Sequence, residues 1–198
     1  SLYSGNAAFV AVKENGSIVH WGHNVVSAST LDSISALIAD GGGIDYVSSG
    51  PNNTFLAVTN SGSIVSWGGN INPPVSISPH SPISSIHATH GAFAVLLDDG
   101  TVETFGYSSW GGSAHAYSSG SSYPVVLEDI VEIESAPYSF AAIKSDGSVV
   151  VWGELGNYEN VSSNLTSDVV QLIANLDSRG PAWAALKSDG SVYTWGDK

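Results

Sequence analysis

Histidine is the residue type in this sequence best suited to acid–base or metal chemistry near neutral pH, where its ordinary pKa lies. The six histidines are His20, His23, His80, His87, His90 and His115. None belongs to a His-x-x-x-His pair, and His87 and His90 are expected on opposite faces of a strand and turn. The chain has no cysteine, which excludes a thiol nucleophile, a disulfide, a zinc–thiolate site and an iron–sulfur cluster. The histidine spacing therefore predicts no metal site.

Carboxylates form three short clusters, at Asp98-Asp99, at Glu128-Asp129 and at Glu132 with Glu134. Glu132 and Glu134 alternate along an expected strand and share a face, which is one arrangement for general acid–base chemistry. Carboxylates that simply face solvent on a strand are the commoner arrangement. No phosphate-binding loop, dinucleotide fingerprint, calcium loop or nucleophile elbow occurs. We therefore expect no catalytic residue, no cofactor and no enzymatic activity.

Aromatic side chains suited to binding are concentrated in the segment 106–123, GYSSWGGSAHAYSSGSSY. Tyr and Trp provide contact area, and Ser and Gly provide adaptable hydrogen bonds, as in antibody binding loops. An ordinary connection, with Trp110 packed against a neighbouring element, is the alternative. The candidate residues for binding a protein or glycan partner are Tyr107, Trp110, His115, Tyr117 and Tyr123, together with Tyr158 in the equivalent position of the next connection.

Four asparagines match the Asn-x-Ser/Thr acceptor pattern of secreted eukaryotic glycoproteins. Asn15 is assigned instead to a turn, so the candidate N-glycosylation sites are Asn52, Asn160 and Asn164. Serine and threonine are abundant in this chain, and such matches therefore also arise by chance.

The charge balance limits the classes of partner. The 198 residues include 5 Lys and Arg against 18 Asp and Glu, a formal net charge of -13. These few cations cannot neutralise many phosphates, so neither nucleic acid nor an anionic membrane surface is an expected partner. No apolar run is long enough for membrane insertion. The chain begins at Ser1 and lacks methionine, and we expect a processed product or an excerpt of an extracellular or cell-surface protein.

A repeat accounts for most of the sequence and must position these residues. Five segments align without gaps, each with an aromatic residue, a glycine seven residues later, a second aromatic five residues after that, and a final glycine. The segments are 8–22, 54–68, 92–106, 139–153 and 182–196. Their repeat residues are Phe9, Gly16, Trp21, Phe55, Gly62, Trp67, Phe93, Gly100, Phe105, Phe140, Gly147, Trp152, Trp183, Gly190 and Trp195. Asn-Gly or Asp-Gly dipeptides at most of the centres predict a β-hairpin with a type I′ turn, both central residues at positive φ.

The segments between the hairpins predict two further strands per repeat. They contain stretches such as 74–77, 83–88, 124–127 and 130–135, in which apolar residues recur at short spacing. The segment 30–40 is open to two interpretations, a short helix capped by Thr30 or a degenerate strand, and we favour the strand. Four strands per repeat, in repeats of 38–47 residues, are typical of a β-propeller blade. The sequence therefore predicts an all-β propeller in a single domain, 1–198.

The hairpin of the type AWAALKSDGSVYTWG (182–196) resembles the regulator of chromosome condensation repeat, in particular its short bacterial version typified by β-lactamase inhibitory protein II. The resemblance covers nearly the whole chain and implies a propeller, usually of seven blades, whereas five hairpins occur here. Three arrangements remain open. The ring closes with one incomplete blade, the missing strands lie elsewhere in a longer chain, or neighbouring copies supply them through unpaired terminal strands.

The functional expectation is a non-catalytic binding module that is secreted or displayed on a surface and meets its partner through aromatic-rich loops on one face. The alternatives are a structural subunit of an extracellular filament or repetitive exoprotein, an inhibitor of a secreted enzyme, and a propeller lyase or hydrolase. Fold alone does not choose among them, because propellers support many functions.

Overall fold

A computed structural model describes residues 1–23, 26–69, 71–118, 121–155, 165–175 and 182–196, without the side chains of 72–75, 118 and 121. In this part of the chain eighteen strands form five sheets, accompanied by a single α-helix and two short 3-10 turns. The chain divides into two compact units, 1–83 and 84–198, and each is described by itself.

The first unit contains two antiparallel sheets whose strands lie side by side in chain order. Sheet 1 consists of β1 (Leu2–Ser4), β2 (Ala8–Val12) and β3 (Ile18–Gly22). Sheet 2 consists of β4 (Ile44–Gly50), β5 (Thr54–Thr59), β6 (Ile64–Gly68) and β7 (Ile71–Ile77). Sheet 2 has the expected four strands, and sheet 1 has three in the described part of the chain.

The second unit contains three sheets. Sheet 3 is formed by β8 (Ile83–Ala88), β9 (Ala92–Leu97) and β10 (Val102–Gly106). Sheet 4 is formed by β11 (His115–Ser118), β12 (Ser121–Pro124), β13 (Ile130–Ser135), β14 (Ser139–Lys144) and β15 (Val149–Glu154), in the order β12-β11-β15-β14-β13. Sheet 5 is formed by β16 (Val169–Ala174), β17 (Ala182–Lys187) and β18 (Val192–Gly196). In sheet 4, β11 pairs parallel to β15.

All five repeat segments form the expected antiparallel hairpins, but their turns are not of type I′. In the first hairpin Gly16 N–H donates to Lys13 O and Lys13 N–H donates to Ser17 O, both at 2.9 Å. Gly16 has a φ of 79°, whereas Asn15 is not at positive φ. This is a type I turn followed by a left-handed glycine, the usual three-residue hairpin loop. The Asn15 side chain instead accepts from Ser17 N–H at 3.1 Å, and Asp99, Asp146 and Asp189 do the same in their hairpins.

The segment expected as a degenerate strand is a helix, α1 (Ala28–Asp40). Ile34 and Ile38 lie one turn apart, and both are buried in the cluster that contains Phe55 and Trp67. Burial of this one face selects the helix. In a helix, residues four apart lie on the same face, whereas in a strand every second residue would lie on the face shared by Ile34 and Ile38. The N-cap is Ser27, whose side chain accepts from Thr30 N–H, and not Thr30 itself.

The strand expected at 124–127 is also absent. β12 ends at Pro124, and residues 125–128 have no regular structure. Leu127 O accepts a hydrogen bond from Val102 N–H at 3.2 Å, and its side chain is buried between sheets 3 and 4. The apolar residues of this stretch therefore serve packing rather than strand pairing. The strands at 83–88 and 130–135 are confirmed as β8 and β13.

Each sheet has an aromatic face, defined by the two repeat aromatics of its hairpin, and an opposite face. In the first unit, Phe55 and Trp67 on the aromatic face of sheet 2 share a buried cluster with Ala8 and Val10 on the opposite face of sheet 1. In the second unit, the aromatic face of sheet 4 packs on the opposite face of sheet 3. The aromatic face of sheet 5 packs in the same way on the opposite face of sheet 4. One packing rule thus builds three of the sheet interfaces.

Candidate functional site

Four aromatic rings of the second unit form a continuous surface row: His90, Tyr138, Trp110 and Tyr107. The ring centroids of His90 and Tyr138 are 5.0 Å apart with an edge-on arrangement, and those of Tyr138 and Trp110 are 5.1 Å apart. Trp110 and Tyr107 follow at 4.8 Å. Tyr107 at the end of this aromatic row is 49% exposed, and the other three are partly buried. The row therefore offers apolar ring surface and polar edges to a partner.

The aromatic row rests on a short 3-10 turn, Ser108–Trp110, which is fixed at both ends. Tyr107 N–H donates to Gly91 O at 2.8 Å, and the Thr89 hydroxyl donates to Trp110 O at 3.0 Å. On the other side, the indole N–H of Trp152 donates to Gly111 O at 3.2 Å. These bonds join the turn to sheets 3 and 4, so Trp110 is held in a defined position rather than on a free loop.

Gly111 ends the turn in the left-handed region, with a φ of 98°. A Cβ atom at this position would lie 2.5 Å from the ring of Phe140, which is fully buried. We expect Gly111→Ala to destabilise the protein by about 1–3 kcal/mol, from the left-handed backbone and the overpacked ring. Urea denaturation measures the loss. Gly190→Ala is the control for backbone strain alone, because its φ is 85° and its Cβ meets no neighbour within 4 Å. Equal losses for the two variants would show that Gly111 has no packing role.

The sequence predicted a binding loop at 106–123, and the structure divides that segment into a turn and two strands. Tyr107 and Trp110 lie in the aromatic row. Trp110 also packs against Tyr138, as the alternative interpretation of this residue expected, and its role in binding stays a prediction. His115 and Tyr117 form a separate pair on β11, with ring centroids 6.2 Å apart, and the Tyr117 hydroxyl lies 3.2 Å from Ser113 Oγ. The segment is therefore not a long irregular loop.

The remaining candidates are distributed differently. Tyr123 lies on β12 opposite Ala116 and is exposed, without a ring contact to the row among those described. Tyr158, Asn160 and Asn164 lie outside the described residues. Asn52 is described, with a φ of 57°, and the buried Thr54 of its acceptor pattern donates its hydroxyl hydrogen to Pro51 O at 2.9 Å. Its glycosylation stays a prediction.

Sequence reasoning did not identify two members of the aromatic row, His90 and Tyr138. Each lies in the turn that leads into a repeat hairpin, and His90 N–H donates to Pro137 O at 2.8 Å, which brings the two turns together. Burial lowers the pKa of His90, which favours the neutral form of its ring. The only sequence signal was an aromatic ring before the hairpin, and nothing in the chain linked it to Trp110.

Glu132 and Glu134, the carboxylates considered for catalysis, lie close enough to interact. Burial and the neighbouring charge of Glu132 raise the pKa of Glu134, as expected for two acids on one strand face. His87 Nε2 lies 2.9 Å from Ser85 Oγ, and burial lowers the pKa of this imidazole.

Within the described ranges, no three histidine or acidic side chains are arranged to hold a metal ion. The described helix is also too short and too polar to cross a membrane.

Comparison with known proteins supports the fold. No protein-family model matches the chain, and no curated protein matches its sequence. Yeast RCC1 (Prp20), solved bound to Kap60, aligns with a TM-score of 0.55 and 17% identity over 98% of this chain and 55% of that one. The CRINKLY WD40 ectodomain of the Arabidopsis thaliana receptor kinase ACR4 aligns at 0.53 and 14%, over 99% and 65%. Human WBSCR16 aligns at 0.52 and 14%, over 98% and 61%.

These likenesses show an all-β fold of the RCC1-like β-propeller type, as the hairpin repeat predicted. The chain spans 55% to 65% of the length of these three solved chains. At such low identity the comparison concerns the fold alone.

Proposed function

We propose that this chain is a non-catalytic binding module that contacts a protein partner through the aromatic row. The observation that carries this proposal is the row itself: four rings in contact, fixed by backbone hydrogen bonds, with Tyr107 49% exposed at one end. Tyrosine and tryptophan are enriched at protein interfaces because they offer large contact area and lose little conformational entropy. A rigid support lowers that entropic cost further.

The fold neighbours support a protein as the partner class. Prp20p of Saccharomyces cerevisiae is described with binding properties toward Gsp1p and histones, and its likeness to this chain has a TM-score of 0.52 with 16% identity. The acidic charge of -13 favours a partner other than nucleic acid. The hairpins also resemble the short bacterial repeat, and inhibition of a secreted enzyme is one form that such binding would take.

We further propose an extracellular or cell-surface location. The chain contains neither cysteine nor methionine, the two residues most readily damaged by oxidation, and this composition suits an oxidising environment. Fractionation of the source cells with an antibody against the chain tests the location. Recovery of the protein only from the cytosol would overturn it.

The binding proposal predicts that Tyr107→Ala weakens partner binding at least about tenfold, as expected for a central aromatic contact. The partner is first purified from the culture supernatant on the immobilised chain, and its affinity is then measured for each variant by calorimetry. Trp110→Ala is a second variant in the row. Tyr46→Ala is the matched control, because Tyr46 is an exposed tyrosine on sheet 2 of the other unit. The near-UV circular dichroism of each variant verifies folding.

Two results would contradict this proposal. Unchanged affinity of a folded Tyr107→Ala variant would remove the aromatic row from the interface. Binding of immobilised oligosaccharides that is lost in the same variant, with no protein retained, would identify a glycan instead of a protein as the partner.

A further inference from the structure

The aromatic row lies in the more acidic of the two units. Residues 84–198 contain 14 of the 18 acidic residues of the chain and four of its five basic residues. The basic residues that the structure describes in this unit are Lys144 and Lys187, the last residues of β14 and β17. Tyr138 directly precedes β14, so Lys144 is six residues further along an extended chain, about 20 Å away. Lys144 is therefore remote from the row, and Lys187 has the equivalent position in sheet 5.

A carboxylate, in contrast, lies beside the row. Glu154 N–H donates to Tyr138 O at 2.9 Å, just as Tyr107 N–H donates to Gly91 O at 2.8 Å. Glu154 and Tyr107 occupy the same repeat position, directly after the final glycine of their hairpins. Tyr107 ends the row on one side through its contact with Trp110, and Glu154 is exposed next to Tyr138. The row thus combines aromatic rings with one exposed acidic side chain.

The rings of the row are suited to binding positive charge. The faces of aromatic rings carry partial negative charge and attract cations, and tryptophan does so most strongly. The ring of Trp110 lies between those of Tyr107 and Tyr138, with centroid distances of 4.8 Å and 5.1 Å. The negative charge of the surrounding unit adds attraction at longer range. An acidic partner would be repelled here, and an apolar partner would gain nothing from Glu154.

We propose that the partner places an arginine side chain on the aromatic row, stacked on the rings with its guanidinium group close to Glu154. The inference rests on the proposed binding function and specifies the chemistry of the partner surface. Arginine fits better than lysine, because its planar guanidinium stacks on aromatic faces and pairs with a carboxylate through two parallel hydrogen bonds. The lysine ammonium is more strongly hydrated. Arginine is also enriched at protein interfaces.

Two tripeptides test the proposal without the natural partner. One is acetyl-Gly-Arg-Gly-amide, and the other has citrulline in place of arginine. Citrulline retains the length and the planar end of arginine but is uncharged. The indole N–H signal of Trp110 in the isotope-labelled chain reports binding of each peptide, and the Trp110→Phe variant assigns that signal. Because the signal belongs to the row, it separates binding there from attraction to the acidic surface in general.

We expect the arginine peptide to shift the Trp110 signal and to bind at least about fivefold more tightly than the citrulline peptide. Glu154→Gln should weaken binding of the arginine peptide about threefold and leave the citrulline peptide unaffected. Glu128→Gln is the matched control, because it removes the same charge from an exposed glutamate of the same unit. Glu128 precedes β13, whereas Tyr138 follows the end of that strand. The near-UV circular dichroism of the variants verifies folding.

Three results would overturn the inference: equal affinity for the two peptides, equal weakening by Glu154→Gln and Glu128→Gln, or no shift of the Trp110 signal with the arginine peptide. None of them decides whether the row binds a protein, since Tyr107→Ala and the purified partner test that separately. With the same partner, Glu154→Gln and added salt should each weaken binding. Affinity that is lost in Tyr107→Ala but unchanged by Glu154→Gln and by salt would retain the proposed function and contradict the arginine contact.

Discussion

Phe140→Ala is expected to destabilise the protein by about 3–5 kcal/mol, the usual cost of removing a buried phenylalanine ring. Phe140 is fully buried and stacks on Trp152 with ring centroids 5.1 Å apart. Phe9→Ala removes the same ring from the same repeat position, and we expect it to cost only about 1–2 kcal/mol, because Phe9 remains 42% exposed in the folded chain. The repeat thus supplies its own matched control.

Urea denaturation at low protein concentration measures both losses, and Phe55→Ala is expected to resemble Phe140→Ala because Phe55 is also fully buried. Low concentration keeps copies apart. Equal losses at Phe9 and Phe140 under these conditions would show that Phe9 is covered within a single chain.

The stability of the protein is expected to fall as the pH decreases below about 6.5, with His20 as one cause. His20 is buried on the opposite face of sheet 1, edge-on to Phe55 at 5.2 Å, and neither ring nitrogen has a hydrogen-bond partner. Burial lowers the pKa of this imidazole. Below the ordinary pKa, the unfolded chain therefore binds a proton on His20 more readily than the folded chain does, and unfolding becomes easier as the pH falls, by at most about 1.4 kcal/mol per pH unit.

The measurement is the free energy of unfolding between pH 7.5 and 5 for the unmodified chain and for His20→Leu. We expect the variant to lose part of the pH dependence and to be less destabilised by acid. His87 and His90, whose pKa values burial also lowers, retain the remainder. The lowered pKa values of Asp146 and Asp189 act at lower pH, since these carboxylates protonate only below the ordinary carboxyl range. Identical pH profiles for the two proteins would show that His20 is not the group responsible.

The repeat hairpins were predictable almost to the residue because their signals are local. An aromatic residue, a glycine and a second aromatic at fixed spacing define two strands and the turn between them. The turn type was not predictable from Asn-Gly or Asp-Gly, since the same dipeptides suit a two-residue loop and a three-residue loop with a left-handed glycine. The hydrogen bond from Gly16 N–H to Lys13 O distinguishes the two.

The helix α1 shows where local pattern fails. Leu31, Ile34, Leu37 and Ile38 fit one helical face, but the all-β repeat around them favoured a strand. Short apolar runs are ambiguous between helix and strand, and the packing of Ile34 and Ile38 against the aromatic face of sheet 2 decided the outcome. The N-cap is Ser27, three residues before Thr30, the residue proposed as the cap.

Two of the four residues in the aromatic row were predicted from the sequence. Tyr107 and Trp110 lie close together in a segment with the composition of a binding loop, whereas His90 and Tyr138 come from turns that precede two different hairpins. Their proximity results from packing of sheets 3 and 4 and from the hydrogen bond between His90 and Pro137. No single-sequence pattern reports such a long-range contact.

The parallel pairing of β11 with β15 affects the order in which the chain folds. Sheets 1, 2, 3 and 5 join strands that follow one another along the chain, so each can form as soon as its own segment has been synthesised. Sheet 4 cannot form in this way. β11 and β12 precede β13 and β14 in the chain, but β11 pairs with β15, which is the last strand of this sheet to be synthesised. Until β15 is synthesised, β11 has an unpaired edge. The chain between β11 and β15 must close into a loop before these two strands can pair. We therefore expect sheet 4 to be the slow step of folding and the stage at which a nascent chain is most exposed to wrong strand pairing.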